Sequence, residues 1–200
     1  MTDTSDQEVT ESPVLFAEWV YTNIVSMISE EEKQAFLATI PEDRRKELSI
    51  TVEEQKAWVD ELLVMLGLGA CMFSSLNLSY DNHQAFKRAM SQQVAKQLFG
   101  ANIESRVAEI EKVFEQYLEV LVDKSKRAHM FSGFSEIYFD RVFPSNPNKS
   151  AMFMGAEIAK IPLDTALASF ELTRDGFFRL RHGMSYANYL ATQTALDDTN

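Results

Sequence analysis

Hydrophobic positions recur at helical spacing through most of this chain and predict a succession of amphipathic helices. The longest uncharged run extends from Leu62 to Tyr80. A run this apolar must be shielded from water. The capping-box pattern of Thr51 and Glu54 places the start of its helix well upstream. We therefore predict a helix that begins at the surface, ends buried, and is surrounded by the other helices.

Two alternative interpretations of this run have less support. A membrane span requires about 20 apolar residues, but glycine, serine and asparagine dilute the run, and acidic residues flank it. A dinucleotide-binding turn at Gly67-Leu68-Gly69 would need a preceding strand and a third glycine, which the sequence does not provide. Close packing of a neighbouring helix against Gly67, Gly69 and Ala70 is the interpretation that we prefer.

The segment from Ile103 to Leu121 has the clearest helical periodicity in the chain. It is either a coiled-coil dimerisation helix or a helix of a globular core. Val113, Leu118 and Val120 widen its apolar stripe beyond a two-position seam, which favours the core. We expect this helix to be the principal partner of the central one.

Glycine, proline and capping residues predict further helix boundaries. Asp81 is expected to cap the helix that follows the central run, and Gly100 is expected to end it in a left-handed conformation. Pro162 is expected to divide two helices, since proline interrupts the helical hydrogen-bond ladder. Gly176 and Gly183 are expected to bracket a short separate segment.

The resulting fold class is all-α. We predict one domain over residues 13–196, a helical bundle of about seven to nine helices around the buried central helix. Residues 1–12 are expected to form a disordered acidic tail, and residues 197–200 a polar end. The chain has only seven glycines and five prolines in 200 residues, which is typical of long helices with few turns.

The negative charge is concentrated at the start of the chain. Residues 1–61 contain fifteen Asp and Glu against five Lys and Arg, whereas residues 62–200 contain fifteen against fourteen. This balance disfavours direct binding to nucleic acid, which needs a clustered positive surface. An acidic face suits a basic protein partner or simply confers solubility.

Composition also predicts the compartment. Cys71 is the only cysteine and lies in the apolar run, so an internal disulfide is impossible. The chain does not open with the basic and then apolar pattern of a secretory signal. We expect a cytoplasmic protein that does not bind membranes.

Recognisable catalytic signatures are missing from the sequence. There is no Gly-x-Ser-x-Gly elbow, no phosphate-binding loop and no cysteine pair. The three histidines are far apart and lack the spacings of common metal sites. We therefore expect no catalytic residue, no metal and no cofactor.

Two groups of residues remain as candidates for ligand binding. Aromatic side chains can line an apolar pocket, and arginine forks can anchor an anionic head group. Core packing of the aromatic group, and a solvated face or ion pairing for the arginines, are the interpretations that we prefer. The candidates are Phe131, Phe134, Tyr138 and Phe153 for the pocket, with Arg174, Arg179, Arg181 and His182 for the anchor.

Missing catalytic signatures and uneven charge favour a non-enzymatic cytoplasmic interaction or regulatory protein. It would bind a protein partner, or a second copy of itself as a homodimer, through the acidic first third and the aromatic, Met-rich helical surface. The alternative is a sensor or enzyme that binds a small apolar or anionic ligand in the aromatic pocket, with the arginines as its anchor.

Overall fold

The computed structural model describes residues 5–26, 28–38, 40–100, 103–122, 130–154 and 156–197. They form eleven α-helices and, within these ranges, no strand, which confirms the all-α class. Three helices have only six residues, so the number of longer ones agrees with the prediction. A π-helical turn, Tyr21–Val25, continues α2. The helices are α1 Asp6–Glu11, α2 Pro13–Val20, α3 Glu30–Leu37, α4 Glu42–Glu47, α5 Val52–Asn77, α6 Tyr80–Phe99, α7 Glu104–Val122, α8 Met130–Val142, α9 Lys149–Met154, α10 Ala156–His182 and α11 Tyr186–Asp197.

Helix α5 is the buried central helix that the apolar run predicts. Every residue from Glu61 to Cys71 is buried. The predicted capping box is present, since Glu54 N donates to Thr51 Oγ1 at 3.1 Å and Thr51 N donates to the Glu54 carboxylate at 2.9 Å. The helix is long and apolar enough to cross a membrane, but most of its apolar window is covered by the protein itself.

The principal partner of α5 is α10, not α7 as the sequence predicted. A Cβ atom at Gly69 would fall on the carbonyl oxygen of Ala166 and 2.7 Å from Cβ of Ser169. Ser169 Oγ also donates to the carbonyl oxygen of Leu66 at 2.6 Å. The small residues Gly69, Ala166 and Ser169 therefore let the two backbones come into contact, whereas α7 meets α5 at Gly67 through the bulky side chain of Phe114. Further along, Phe73 packs on Phe177, so the helices run in the same direction.

Helix α6 folds back antiparallel to α5. Ser74, near the end of α5, contacts His83 near the start of α6. Gly67, earlier in α5, packs against the side chain of Val94 in the second half of α6. The cap of α6 is Ser79 rather than the predicted Asp81, because the chain enters the helix at Tyr80 and the Ser79 hydroxyl accepts from the backbone of the first turn. Gly100 follows α6 with the predicted positive φ, 75°.

Helix α10 continues through two residues that were expected to interrupt it. Pro162 lies inside the helix and is buried, so tertiary packing outweighs the lost backbone hydrogen bond. Gly176 also lies inside the helix. A Cβ atom at this position would lie 2.6 Å from the indole ring of Trp19, so the glycine allows close packing and does not break the chain. Gly183, with φ 67°, follows the end of the helix as predicted.

Helix α7 belongs to the core and does not offer its apolar stripe to a second copy. The buried positions recur at helical spacing along its inner side, which confirms the core interpretation over the dimer seam. They are Val107, Ile110, Val113, Phe114, Tyr117 and Val120.

The first residues of the chain include a short helix where the sequence predicted a tail. Ser5 and Glu8 form a reciprocal capping box at the start of α1. Thr10 is buried, and Val9 packs against the core. Residues 1–4 and 198–200 lie outside the described chain.

Replacing Gly69 by alanine tests the contact between α5 and α10. We expect G69A to lower the free energy of unfolding by roughly 2–3 kcal/mol, because the new methyl group meets backbone that cannot rotate away. The matched change G67A meets the movable side chains of Phe114 and Val94 and should cost about 1 kcal/mol or less. Urea denaturation measures both. Equal stability of G69A and wild type would contradict the close approach.

Candidate functional site

The predicted aromatic pocket residues lie in or beside the core. Phe134 and Tyr138 on α8 are completely buried, and the Phe134 ring packs on Tyr117 with centroids 4.6 Å apart. The side chains of Phe131 and Phe153 lie outside the described part of the structure. Since the two described rings fill the interior, an apolar ligand pocket among the four residues stays a prediction.

The predicted arginine anchor lies along the second half of α10. Arg174 forms an ion pair with Glu171, and its guanidinium stands 4.0 Å from the ring centroid of Tyr186 on α11. Arg179 Nε donates to Asp175 at 2.7 Å. Asp175 accepts another hydrogen bond from the backbone of Tyr186. These contacts attach α11 to α10 and already engage the guanidinium groups of Arg174 and Arg179, although the buried Nε of Arg174 has no hydrogen-bond partner among the described residues.

The remaining anchor residues make similar contacts within the protein. The Arg181 guanidinium lies 5.6 Å from the ring centroid of Phe177, and His182 stacks on Tyr189 at 4.7 Å. The structure therefore brings the three arginines and His182 to one end of α10. It does not place them in contact with Phe134 on α8, so a site that combines both groups stays a prediction.

A buried ion pair, which the sequence analysis missed, joins α5, α7 and α8. Glu61 is buried, and Arg141 donates to it through Nε at 2.8 Å and Nη2 at 2.9 Å. The Tyr117 hydroxyl adds a third hydrogen bond at 3.1 Å. A buried carboxylate is tolerated only when its charge is compensated and its lone pairs are hydrogen-bonded. The bidentate fork of Arg141 satisfies both requirements.

The two tyrosine phenols next to this ion pair are kept from ionising. Burial and the negative charge of Glu61 raise the pKa of both Tyr117 and Tyr138, so both phenols stay neutral. The indole N–H of Trp58 opposes the shift at Tyr138, although the two groups are not aligned as a regular hydrogen bond. At Arg141, desolvation disfavours the cation, but Glu61 outweighs it and raises the pKa. The ion pair of Glu61 and Arg141 thus lies next to two neutral phenols.

The same arginine forms part of an open cleft between α7 and α8. The cleft has a volume of about 390 Å³. One edge comes from α7 and the other from α8, so carboxylate, amide and aliphatic groups face one another across it. The lining residues are Gln116, Glu119, Val120, Ile137, Asp140 and Arg141. We call this feature the α7–α8 cleft.

A second polar cluster lies where α5 turns into α6. Ser74 is buried; its hydroxyl donates to the Cys71 carbonyl at 2.9 Å and lies within hydrogen-bond distance, 2.8 Å, of Nδ1 of His83. Burial raises the pKa of the Cys71 thiol, despite the opposing charge of Lys87. Lys87 is itself buried and donates to Glu115 on α7 at 2.6 Å. The nucleophilic groups here are inaccessible, so the cluster is structural.

Five carboxylates form two rows on α7 and α8, and one member of each row lines the α7–α8 cleft. Spacings of four residues place members of a row on the same side of a helix. All five side chains are at least partly exposed. Lys87 pairs with one of them from α6, and Lys149 pairs with another from α9. We call this surface the acidic face; it consists of Glu111, Glu115 and Glu119 on α7 and Glu136 and Asp140 on α8.

Comparisons with known proteins add no assignment. No protein-family model, curated protein or solved structure matches this chain. Among the described residues, no three His, Cys, Asp or Glu side chains come together in a way that could hold a metal ion. The acidic face and its cleft are therefore characterised by their own residues alone.

Breaking the buried ion pair should destabilise the protein strongly. R141M is expected to lower the free energy of unfolding by about 3–5 kcal/mol, because Glu61 would stay buried without its cation. The double variant E61M/R141M should recover much of this loss, since neither charge remains. R106M, which removes the exposed pair with Glu109, is the control and should cost less than about 1 kcal/mol. The cluster has no stabilising role if R141M matches R106M in urea denaturation.

His83 should give stability a measurable pH dependence. Burial, assisted by the charge of Lys87, lowers its pKa below the ordinary value of 6.5. The unfolded chain therefore binds the proton more readily, so stability is fully present above pH 6.5 and declines as the pH falls through the lower folded pKa. We expect the free energy of unfolding to decline more steeply in wild type than in H83Q on acidification. Parallel urea-denaturation profiles of the two proteins would contradict this prediction.

Proposed function

We propose that this protein is a non-enzymatic, cytoplasmic interaction protein whose partner is basic and docks on the acidic face of α7 and α8. The observation that supports this proposal is the two adjoining rows of carboxylates on helices whose other sides are buried. Because α7 and α8 are fixed by the core, the carboxylates are presented on a rigid surface. A rigid charged surface favours association with an oppositely charged partner.

The charge balance of the two helices supports a basic partner. Arg141 is neutralised by buried Glu61, and Arg106 pairs with Glu109 outside the acidic face. In the described parts of α7 and α8, Lys112 is the cation that remains without an ion pair. The outward charge is therefore negative even though Arg141 lies beside the cleft.

Several carboxylates of the acidic first third, by contrast, have a local structural role. The Glu8, Glu32 and Glu54 carboxylates each accept from the backbone N–H of a helix cap. Glu42 pairs with a lysine one turn later in α4. Glu61 is buried in the core. These carboxylates start helices or compensate internal charges, so we place the partner surface on α7 and α8 instead.

The groups that commonly perform catalysis support a non-enzymatic role. Cys71 and Ser74 are fully buried, and Glu61 is neutralised by two neighbours. Self-association as a homodimer stays a prediction, and the acidic face would repel a second copy of itself.

The proposal is tested with a synthetic peptide of alternating arginine and glycine, and with its glutamate counterpart as a control. We expect the basic peptide alone to bind, more weakly as salt is added. The triple variant E111Q/E119Q/E136Q should bind about tenfold more weakly, since three exposed charge pairs at roughly 0.5 kcal/mol each amount to about one decade. Isothermal titration calorimetry measures the affinity.

A matched variant separates the acidic face from net charge. E18Q/E31Q/E53Q removes three exposed carboxylates from the first third and changes the net charge equally. It should bind the basic peptide as wild type does. Equal weakening in both triple variants would show general attraction to a negative protein, and the proposed function would then be wrong.

A further inference from the structure

We infer that the α7–α8 cleft receives one arginine side chain of the basic partner; this inference rests on the function proposed above. The cleft is lined by Glu119 of the α7 row and by Asp140 of the α8 row. Its volume of about 390 Å³ provides space for one long side chain.

The cleft favours a cation over an anion although Arg141 is part of its wall. Two hydrogen bonds commit the Arg141 guanidinium to Glu61, so its charge is already compensated from the interior. Glu119 has no ion pair within the described chain. Asp140 does have a cation, Lys149. The uncompensated charge in the cleft is therefore the Glu119 carboxylate.

Neighbouring carboxylates already bind cationic side chains. Lys87 reaches Glu115 from α6, one helical turn before Glu119, and Lys149 reaches Asp140 from α9. Both contacts show that the two rows accept cationic nitrogens from other helices. Glu119 lines the cleft, and its side chain is exposed and therefore accessible to a partner.

The remaining lining distinguishes arginine from lysine. A guanidinium donates two parallel hydrogen bonds to one carboxylate, and it has further N–H groups for the side-chain oxygen of Gln116. Its aliphatic stem can pack on Val120 and Ile137, which contribute apolar surface to the cleft. A lysine ammonium is more strongly hydrated and lacks this planar fork.

Nuclear magnetic resonance of the full chain tests this inference with N-acetyl-arginine amide as the probe. The citrulline analogue has nearly the same shape without the charge and is the matched control; N-acetyl-lysine amide is the second control. We expect the arginine probe to produce saturable shifts at the backbone amides of Glu119, Val120 and Asp140. The lysine probe should bind more weakly, and the citrulline probe should not bind.

Two single variants locate the charge that matters. E119Q should weaken the arginine probe about tenfold, since a charge-assisted bidentate contact would be lost. E104Q removes an exposed carboxylate of α7 that lies outside the acidic face, and it should leave the affinity within about twofold. Equal effects of E119Q and E104Q would overturn the cleft as the binding position, and so would equal binding of arginine and citrulline.

The outcomes also separate this inference from the proposed function. If the alternating peptide binds the acidic face but the single-arginine probe does not shift the cleft amides, the function stands and the arginine site is wrong. If neither binds, both are wrong. If the probe binds only after Lys124, Lys126 and Arg127 are replaced by alanine, the occupant is the protein's own basic segment, and the inference of a partner side chain fails.

Discussion

The backbones of α5 and α10 meet at Gly69, and the rest of the bundle depends on that contact. No side chain fits between Gly69 and the carbonyl of Ala166, and the hydroxyl of Ser169 fastens the two helices within one turn of that point. Two long helices in such close contact leave little room for a third between them. The other helices therefore pack around the pair, and aromatic rings such as Phe73 and Phe177 fill the space where the backbones are further apart.

A single buried carboxylate connects this core with the surface. Glu61 projects from α5 and fixes Arg141 of α8 with two hydrogen bonds, while Tyr117 of α7 supplies a third. The contact orients α7 and α8 relative to the central helix. It also compensates the charge of Arg141, which lines the α7–α8 cleft together with Glu119 and Asp140.

Much of the fold could be predicted from the sequence because its signals are local. The capping residues Thr51 and Glu54 and the uncharged run after them specify the central helix without reference to any other element. Predictions failed where distant residues decide the outcome. Gly176 suggested a break, but its missing side chain makes room for the ring of Trp19. Pro162 likewise stays inside α10 because burial overrides a local preference. The identity of α10 as the partner of α5 depends on small residues far apart in sequence.

The candidate site was less predictable, although part of its signal was present. Glu61 lies three residues after Trp58, and Arg141 three residues after Tyr138, so each charge falls on the buried side of its helix. A charged residue on the buried side of a helix indicates that it has a buried partner, but the spacing does not identify that partner. The sequence also shows that Glu111, Glu115 and Glu119 follow one another at intervals of four residues. A spacing alone describes any solvated helix face. The row becomes a candidate site only through the tertiary contacts that place α8 beside it and commit Arg141 to the interior.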